Sequence, residues 1–234
     1  MKLETVCDDV WAVGTQLRLS PGFWLPIRAT VLRKPEGGLV IHSPIRFDDA
    51  VVQEINALGP VEVIVAPSLY HHLFVADAKA RWPKARVLAP STLAAKRKDL
   101  VIDGVLTEDA LGEQIRCIAI QGGPMVDEFV FVHRPSKTLL VTDLLFNIHE
   151  TQGALTPWVL RMMGAWQGTA QSRSWRWLVV KDRAAFAASG QAILREEIQH
   201  IVFAHGDVLH HNAKETLRHA LQWMLSGAAP QLTA

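Results

Sequence analysis

A chain of 234 residues, 49% hydrophobic and 20% charged, has the balance of a globular protein and excludes an intrinsically disordered one. With 24 Lys and Arg against 23 Asp and Glu, the formal net charge is +1, which leaves no global field for gripping nucleic acid or an anionic membrane. The opening MKLETVCDDV carries acids where a secretory signal has a basic region, and apolar runs such as LLVTDLLF fall well short of the ~20 residues that span a bilayer, so a cytoplasmic location is expected.

In chain order, VWAVGT (10–15) alternates like a strand, and ATVLRKPEGGLVIHSP (29–44) reads as a strand pair turned at Lys34–Gly38. Asp48 to Leu58 has a capping acid and helical spacing, and Gly59-Pro60 ends it. VEVIVAP (61–67) is a nearly continuous apolar strand of the kind covered on both faces. LFVADAKARWP (73–83) reads as a helix stopped by Pro83, and ARVLAP (85–90) as another buried strand. IRCIAIQGGP (115–124), EFVFVHRP (128–135) and KTLLVTD (137–143) follow as strands, the last two joined by a hairpin. A polar, Trp-rich stretch covers about 147–180, a helix runs from Asp182 to Glu197, IQHIVFAH (198–205) is a final core strand, and Asn212 to Leu225 is a terminal helix.

Helices between strands require crossovers, while hairpins require antiparallel pairing, so the sheets are mixed. The expected architecture is α/β, with two mixed sheets face to face and helices outside, a four-layer αββα sandwich. No repeat, low-complexity linker or composition break divides the chain, so a single domain over 1–234 is expected, with a helical insertion at about 147–180. Cys7 and Cys117 sit in apolar strand-like stretches and read as inert thiols.

Polar residues that end apolar strands mark where chemistry collects in such folds. His71-His72 follow VEVIVAPSLY, Gly122-Gly123 follow IRCIAI, Asp143 follows KTLLVT, and His205 follows IVFA. Imidazole and carboxylate are the usual ligands of a divalent ion such as zinc or iron. Each has a plainer reading: Asp143 as a turn cap, His205 as a core histidine bonded to a carbonyl, and His210-His211 as a solvated turn. In the 147–180 stretch, Trp158, Trp166, Trp175 and Trp177 alternate with Arg161, Arg173 and Arg176. Trp166 and Arg173 are candidates for a lid that grips an anionic group, against the plainer reading of tryptophans burying the segment on the domain and the further one of a homodimer contact.

The order of these motifs resembles the metallo-β-lactamase superfamily from about Val6 to Leu225. Its first motif, Thr-His-x-His-x-Asp-His after a buried strand, falls on APSLYHH without a gap. Pro67 and Leu69 stand at the first two histidine places, His71 at the aspartate place, and His72 at the last histidine place. Gln121-Gly122-Gly123-Pro124 stands where a histidine is usual, whereas Asp143 in LLVTD and His205 in IVFAHGD match the later motifs. The pattern is similar to a divergent branch of unknown function with a depleted metal-ligand set.

The resemblance implies one divalent ion, zinc or iron, held by His72, Asp143 and His205, with His71 as a fourth ligand or its support. It implies hydrolysis by a metal-activated water, with Asp143 also orienting that water and with Gly122 and Gly123 admitting a small-molecule substrate of ester, thioester, lactone or phosphoester type. A non-catalytic binding protein that kept the fold and lost the dinuclear site is the alternative, and an iron redox site in the same pocket is a third. No nucleic-acid or membrane partner is expected.

Overall fold

The computed structural model describes residues 1–226. One sheet takes its strands in sequence order: β1 (Glu4–Cys7), β2 (Val10–Ser20), β3 (Phe23–Arg33), β4 (Leu39–His42), β5 (Val61–Val65), β6 (Arg86–Ala89) and β7 (Gly104–Val105). β1 to β4 pair antiparallel through short turns, whereas β4 to β7 pair parallel. Each parallel step crosses over through a helix: α1 (Asp49–Leu58), α2 (Val75–Arg81) or α3 (Leu93–Lys96). The α1 start is set by Asp48, whose side chain accepts from the Val51 N–H at 2.9 Å.

The second sheet holds β8 (Ile115–Ala119), β9 (Phe129–His133) and β10 (Thr138–Val141) as an antiparallel run. After β10 come a small ribbon of β11 (Phe146–Asn147) and β12 (Thr169–Ala170), the helix α4 (Thr156–Met163), and a π-helical turn at Trp175–Val179. α5 (Arg183–Arg195), capped by Asp182, then leads to β13 (His200–Phe203), which joins β10 in parallel. α6 (Ala213–Ala220) and α7 (Gln222–Leu225) follow.

Three apolar layers separate four layers of structure. Leu39, Ile41 and Ile64 on the first sheet meet Val51 and Ile55 of α1 and Ala78 of α2. The opposite face, through Val40, Val63 and Val65, meets Cys117, Phe131 and Leu140 of the second sheet. That sheet's outer face presents Val130, Val132 and Phe203 to Phe186 of α5, Leu217 of α6 and Met224 of α7. Adjacent residues of one strand therefore serve different layers, which is why FVFVH is buried throughout without polar alternation. This is the expected αββα arrangement. No helix among the described residues is long and apolar enough to cross a membrane.

The main departure from the sequence expectation is the length of the first hairpin. β2 and β3 each run 11 residues, taking in most of the stretch between 15 and 29 for which the sequence predicts no strand and where Pro21 and Pro26 stand. Pro26 is tolerated because only Thr30–Arg33 of β3 pair with β4, so the proline lies where β3 has a partner on one side alone. At the other end, the terminal helix breaks at Leu221, and α7 turns onto α5, where Gly190 leaves room for Met224.

Candidate metal centre

Three polar side chains converge where β5, β10 and β13 end. The first is aimed by a serine turn: Ser68 Oγ accepts from the backbone N–H groups of Tyr70 and His71, each at 3.2 Å. His71 then faces inward, with Nε2 at 3.1 Å from His205 Nε2 and 3.5 Å from Asp143 Oδ2. His205 Nε2 lies 3.6 Å from Asp143 Oδ1. Among the described residues, this is the group of three or more His, Cys, Asp or Glu whose ligand atoms all lie within 4.8 Å of one another.

Each member is held from behind. His205 Nδ1 is 2.8 Å from the Pro26 carbonyl, which can only accept, so the ring proton sits there and Nε2 presents a lone pair to the centre. Phe146 stacks on the His205 ring at 5.1 Å. His71 Nδ1 pairs with Ser43 Oγ at 2.7 Å. Ser43 is a buried non-glycine residue at φ 54°, a strained conformation retained beside the centre. Trp175 Nε1 donates to the Asp143 carbonyl at 2.7 Å, and Ser68 Oγ donates to its carboxylate at 3.3 Å.

Burial alone would raise the Asp143 pKa, but the imidazoles of His71 and His205 outweigh it and hold the carboxyl below its usual range. Behind it, Glu128 receives the Thr142 N–H and hydroxyl at 2.9 and 2.7 Å. Burial first and the Asp143 charge second push the Glu128 pKa well above the usual carboxyl range, which favours its neutral form beside Asp143.

The donor set fits a metal ion. Ligand arms of ~2.0–2.2 Å arranged tetrahedrally put neighbouring donor atoms ~3.3–3.6 Å apart; the two Nε2 atoms are 3.1 Å apart, and Asp143 offers Oδ2 at 3.5 Å from His71 and Oδ1 at 3.6 Å from His205. Two imidazoles, each supported through Nδ1, and one ionised carboxylate suit zinc or iron and leave further coordination positions open.

The centre forms the floor of a cavity of about 240 Å³. Leu17, Leu19, Leu25 and Ile27 of the hairpin wall one side, and Ile45, Leu73 and Phe74 wall the other.

Four expectations need correction. His72 does not join the convergence: it is buried with Nδ1 at 2.7 Å from Arg97 Nη1, and burial, then Lys96 and Arg97, push its pKa down to about 4. It is a neutral acceptor for an arginine that Asp99 also holds. Gly122 and Gly123 do not line the cavity. A Cβ at Gly122 would lie 2.2 Å from the Asp182 carbonyl oxygen, and one at Gly123 2.9 Å from the Trp175 ring, so both glycines serve packing of the α5 entry and the π-helical turn. Trp166 packs with Leu160 and Ile148, away from the cavity. Arg173 is exposed and donates to the Met162 carbonyl at 3.2 Å, closing the end of α4.

Ser43, Ser68, Glu128 and the hairpin leucines were not singled out from the sequence, and Trp175 enters there only among the tryptophans of the 147–180 stretch. The strand-end rule that drew attention to His71 applies equally to His42-Ser43-Pro44 after β4, and would have found Ser43.

Comparison with known proteins extends this picture. Residues 7–93 match the model of a domain of unknown function, DUF4336. No curated protein matches the chain. Among solved structures, a metallo-β-lactamase from Pontibacter korlensis superposes with a TM-score of 0.66 at 16% identity, covering 95% of this chain and 98% of its own. The metallo-β-lactamase FIM-1 from Pseudomonas aeruginosa, in its mono-zinc form, gives 0.67 at 13%, covering 98% and 96%. A metallo-β-lactamase from Erythrobacter litoralis with β-mercaptoethanol in its active site gives 0.62 at 16%, covering 96% and 94%. The layer order, the sheet topology and these superpositions over nearly the whole chain show that the protein has the metallo-β-lactamase fold.

Proposed function

We propose that the protein is a metal-dependent hydrolase in which His71, Asp143 and His205 hold one divalent ion, zinc or iron, and act on an ester-, thioester-, lactone- or phosphoester-type substrate. The observation that carries this reading is the meeting of two imidazole nitrogens and a carboxylate, with ligand atoms within 4.8 Å of one another, on the floor of a cavity. A structural neighbour described as a mono-zinc form supports a single ion on this fold.

A bound ion would polarise the scissile oxygen and bring the pKa of the attacking water to about 7. The protein's own groups do the rest. Pro26 and Ser43 keep the two imidazoles oriented, so their Nε2 atoms stay at the centre. Asp143, ionised at neutral pH, orients the attacking water. Apolar walls surround the floor and reduce the number of polar groups that compete for its charges.

Elemental analysis of freshly purified protein tests the centre: about one equivalent of metal in wild type, lost in Asp143→Ala. Generic esters and phosphoesters, with and without chelator, then test turnover. Metal without turnover would make the protein a binder, and no metal under any loading condition would end the proposal.

A further inference from the structure

The walls of the cavity narrow the substrate class, an inference that rests on the hydrolase reading above. No lysine or arginine lines the cavity; beyond the floor groups, Ser43 and Tyr70, its surface comes from leucine, isoleucine, proline and phenylalanine. The nearby cations stand outside that lining. Arg28 donates to the carbonyls of Phe203 and Gly206. Lys96 donates to the Leu69 carbonyl and lies 4.8 Å from the Tyr70 ring centroid, and Arg46 lies 5.7 Å from that of Phe74. A divalent ion beside ionised Asp143 would leave one net positive charge on the floor, enough for one developing oxyanion. The remaining oxygens of a phosphoryl group would face leucines, and burying such charge unpaired is costly.

We propose that the cavity takes an uncharged acyl derivative, an ester or lactone whose short apolar acyl chain lies along Leu17, Leu25, Ile27, Ile45 and Phe74. A cavity of about 240 Å³ has room for a short acyl chain rather than a long one. In the reaction the water oxygen joins the acyl carbon, the acyl C–O bond breaks, and the water proton ends on the departing alkoxide. The products are a short-chain acid and an alcohol, or one hydroxy acid from a lactone.

The test has a binding arm and a turnover arm. Hexanamide, an uncharged probe with no ester to cleave, is titrated into metal-free protein while the Ile and Leu methyl signals are followed by NMR. Saturable shifts are expected, with hexyl phosphate producing none. Leu17→Trp and Leu73→Trp each fill the cavity from a half-buried or exposed position and are expected to weaken hexanamide at least tenfold. In metal-loaded protein, kcat/KM for p-nitrophenyl esters is expected to peak between butyrate and octanoate and to exceed that for bis(p-nitrophenyl) phosphate. No hexanamide binding, a flat chain-length profile, or preference for the phosphodiester would overturn the proposal. Saturable hexanamide binding without turnover of any ester would uphold the acyl site and overturn the hydrolase reading instead.

Discussion

The two adjacent histidines after β5 divide their work. His71 points to Asp143 and His205, while His72 accepts from Arg97 beneath the same loop. His71→Ala is therefore expected to abolish stoichiometric metal binding. His72→Ala should keep the metal and lose about 1–3 kcal/mol of stability through the loss of a buried ring and of its bond from the charged Arg97. Metal content and urea unfolding of the two variants separate the roles, and equal metal loss in both would refute the division. A third histidine sets a pH dependence. His42 is 2% exposed, its Nε2 has no partner among the described residues, and its ring meets Phe131 edge-on at 4.7 Å. Burial first, then the neighbouring His71, push its pKa down to about 3. The native state thus keeps His42 neutral while the unfolded chain protonates near the ordinary value of about 6.5. Stability from this group is fully present above pH ~6.5 and falls by about 1.4 kcal/mol per pH unit as the pH drops towards 3. Urea unfolding of wild type and His42→Leu at pH 7, 6, 5 and 4 should show a shallower decline in the variant, and parallel declines would exclude the assignment.

At the scale of elements, the centre depends on how closely chain segments approach behind it. Gly206, at φ 111°, follows His205, and a Cβ there would stand 2.0 Å from the Asn147 carbonyl oxygen. Asn147 N–H donates to the His205 carbonyl at 3.0 Å, so β11 and the end of β13 are laced together at this point. Gly206→Ala is expected to cost roughly 2–4 kcal/mol and to weaken metal binding as His205 shifts. Thermal unfolding and metal titration read both effects, and a variant as stable as wild type would show that the contact can relax. The IVFAHGD motif was legible because a polar group ending an apolar strand stands out, and the same logic found Asp143 and the His71-His72 pair. Which histidine faces inward was not legible, since it depends on Ser68 accepting from two successive N–H groups. The cavity wall was hidden for a different reason. Prolines at 21 and 26 suppress the strand signal in LRLSPGFWLPIR, and only the one-sided pairing of β3 there makes Pro26 acceptable. Gly122-Gly123 misled because glycine permits close approach by anything, and here the neighbour is the protein's own helix entry and Trp175.

Across the whole molecule, the three donors come from both sheets: His71 follows β5 of the first, and Asp143 and His205 follow β10 and β13 of the second. Between those sheets lies a shared apolar layer that includes Val65, Leu140 and Val202. An ion at the centre would tie together the rims of two layers that apolar burial otherwise joins without direction. The unfolded chain separates these donors by 72 and 62 positions in sequence and offers no preformed site, so binding favours the native state. At a free metal concentration about 100 times the dissociation constant, the native state gains about 2.7 kcal/mol. For a chain of this size each kcal/mol moves the melting temperature by about 2–4 °C, giving a rise of roughly 5–10 °C. Asp143→Ala should melt at one temperature with or without metal. His72→Ala, although less stable, should keep the full increment, because its ring lies outside the donor set. Scanning calorimetry of wild type and both variants against a chelated reference measures this directly. An increment that survives in Asp143→Ala would place the stabilising ion elsewhere and separate metal binding from the convergence of the two sheets.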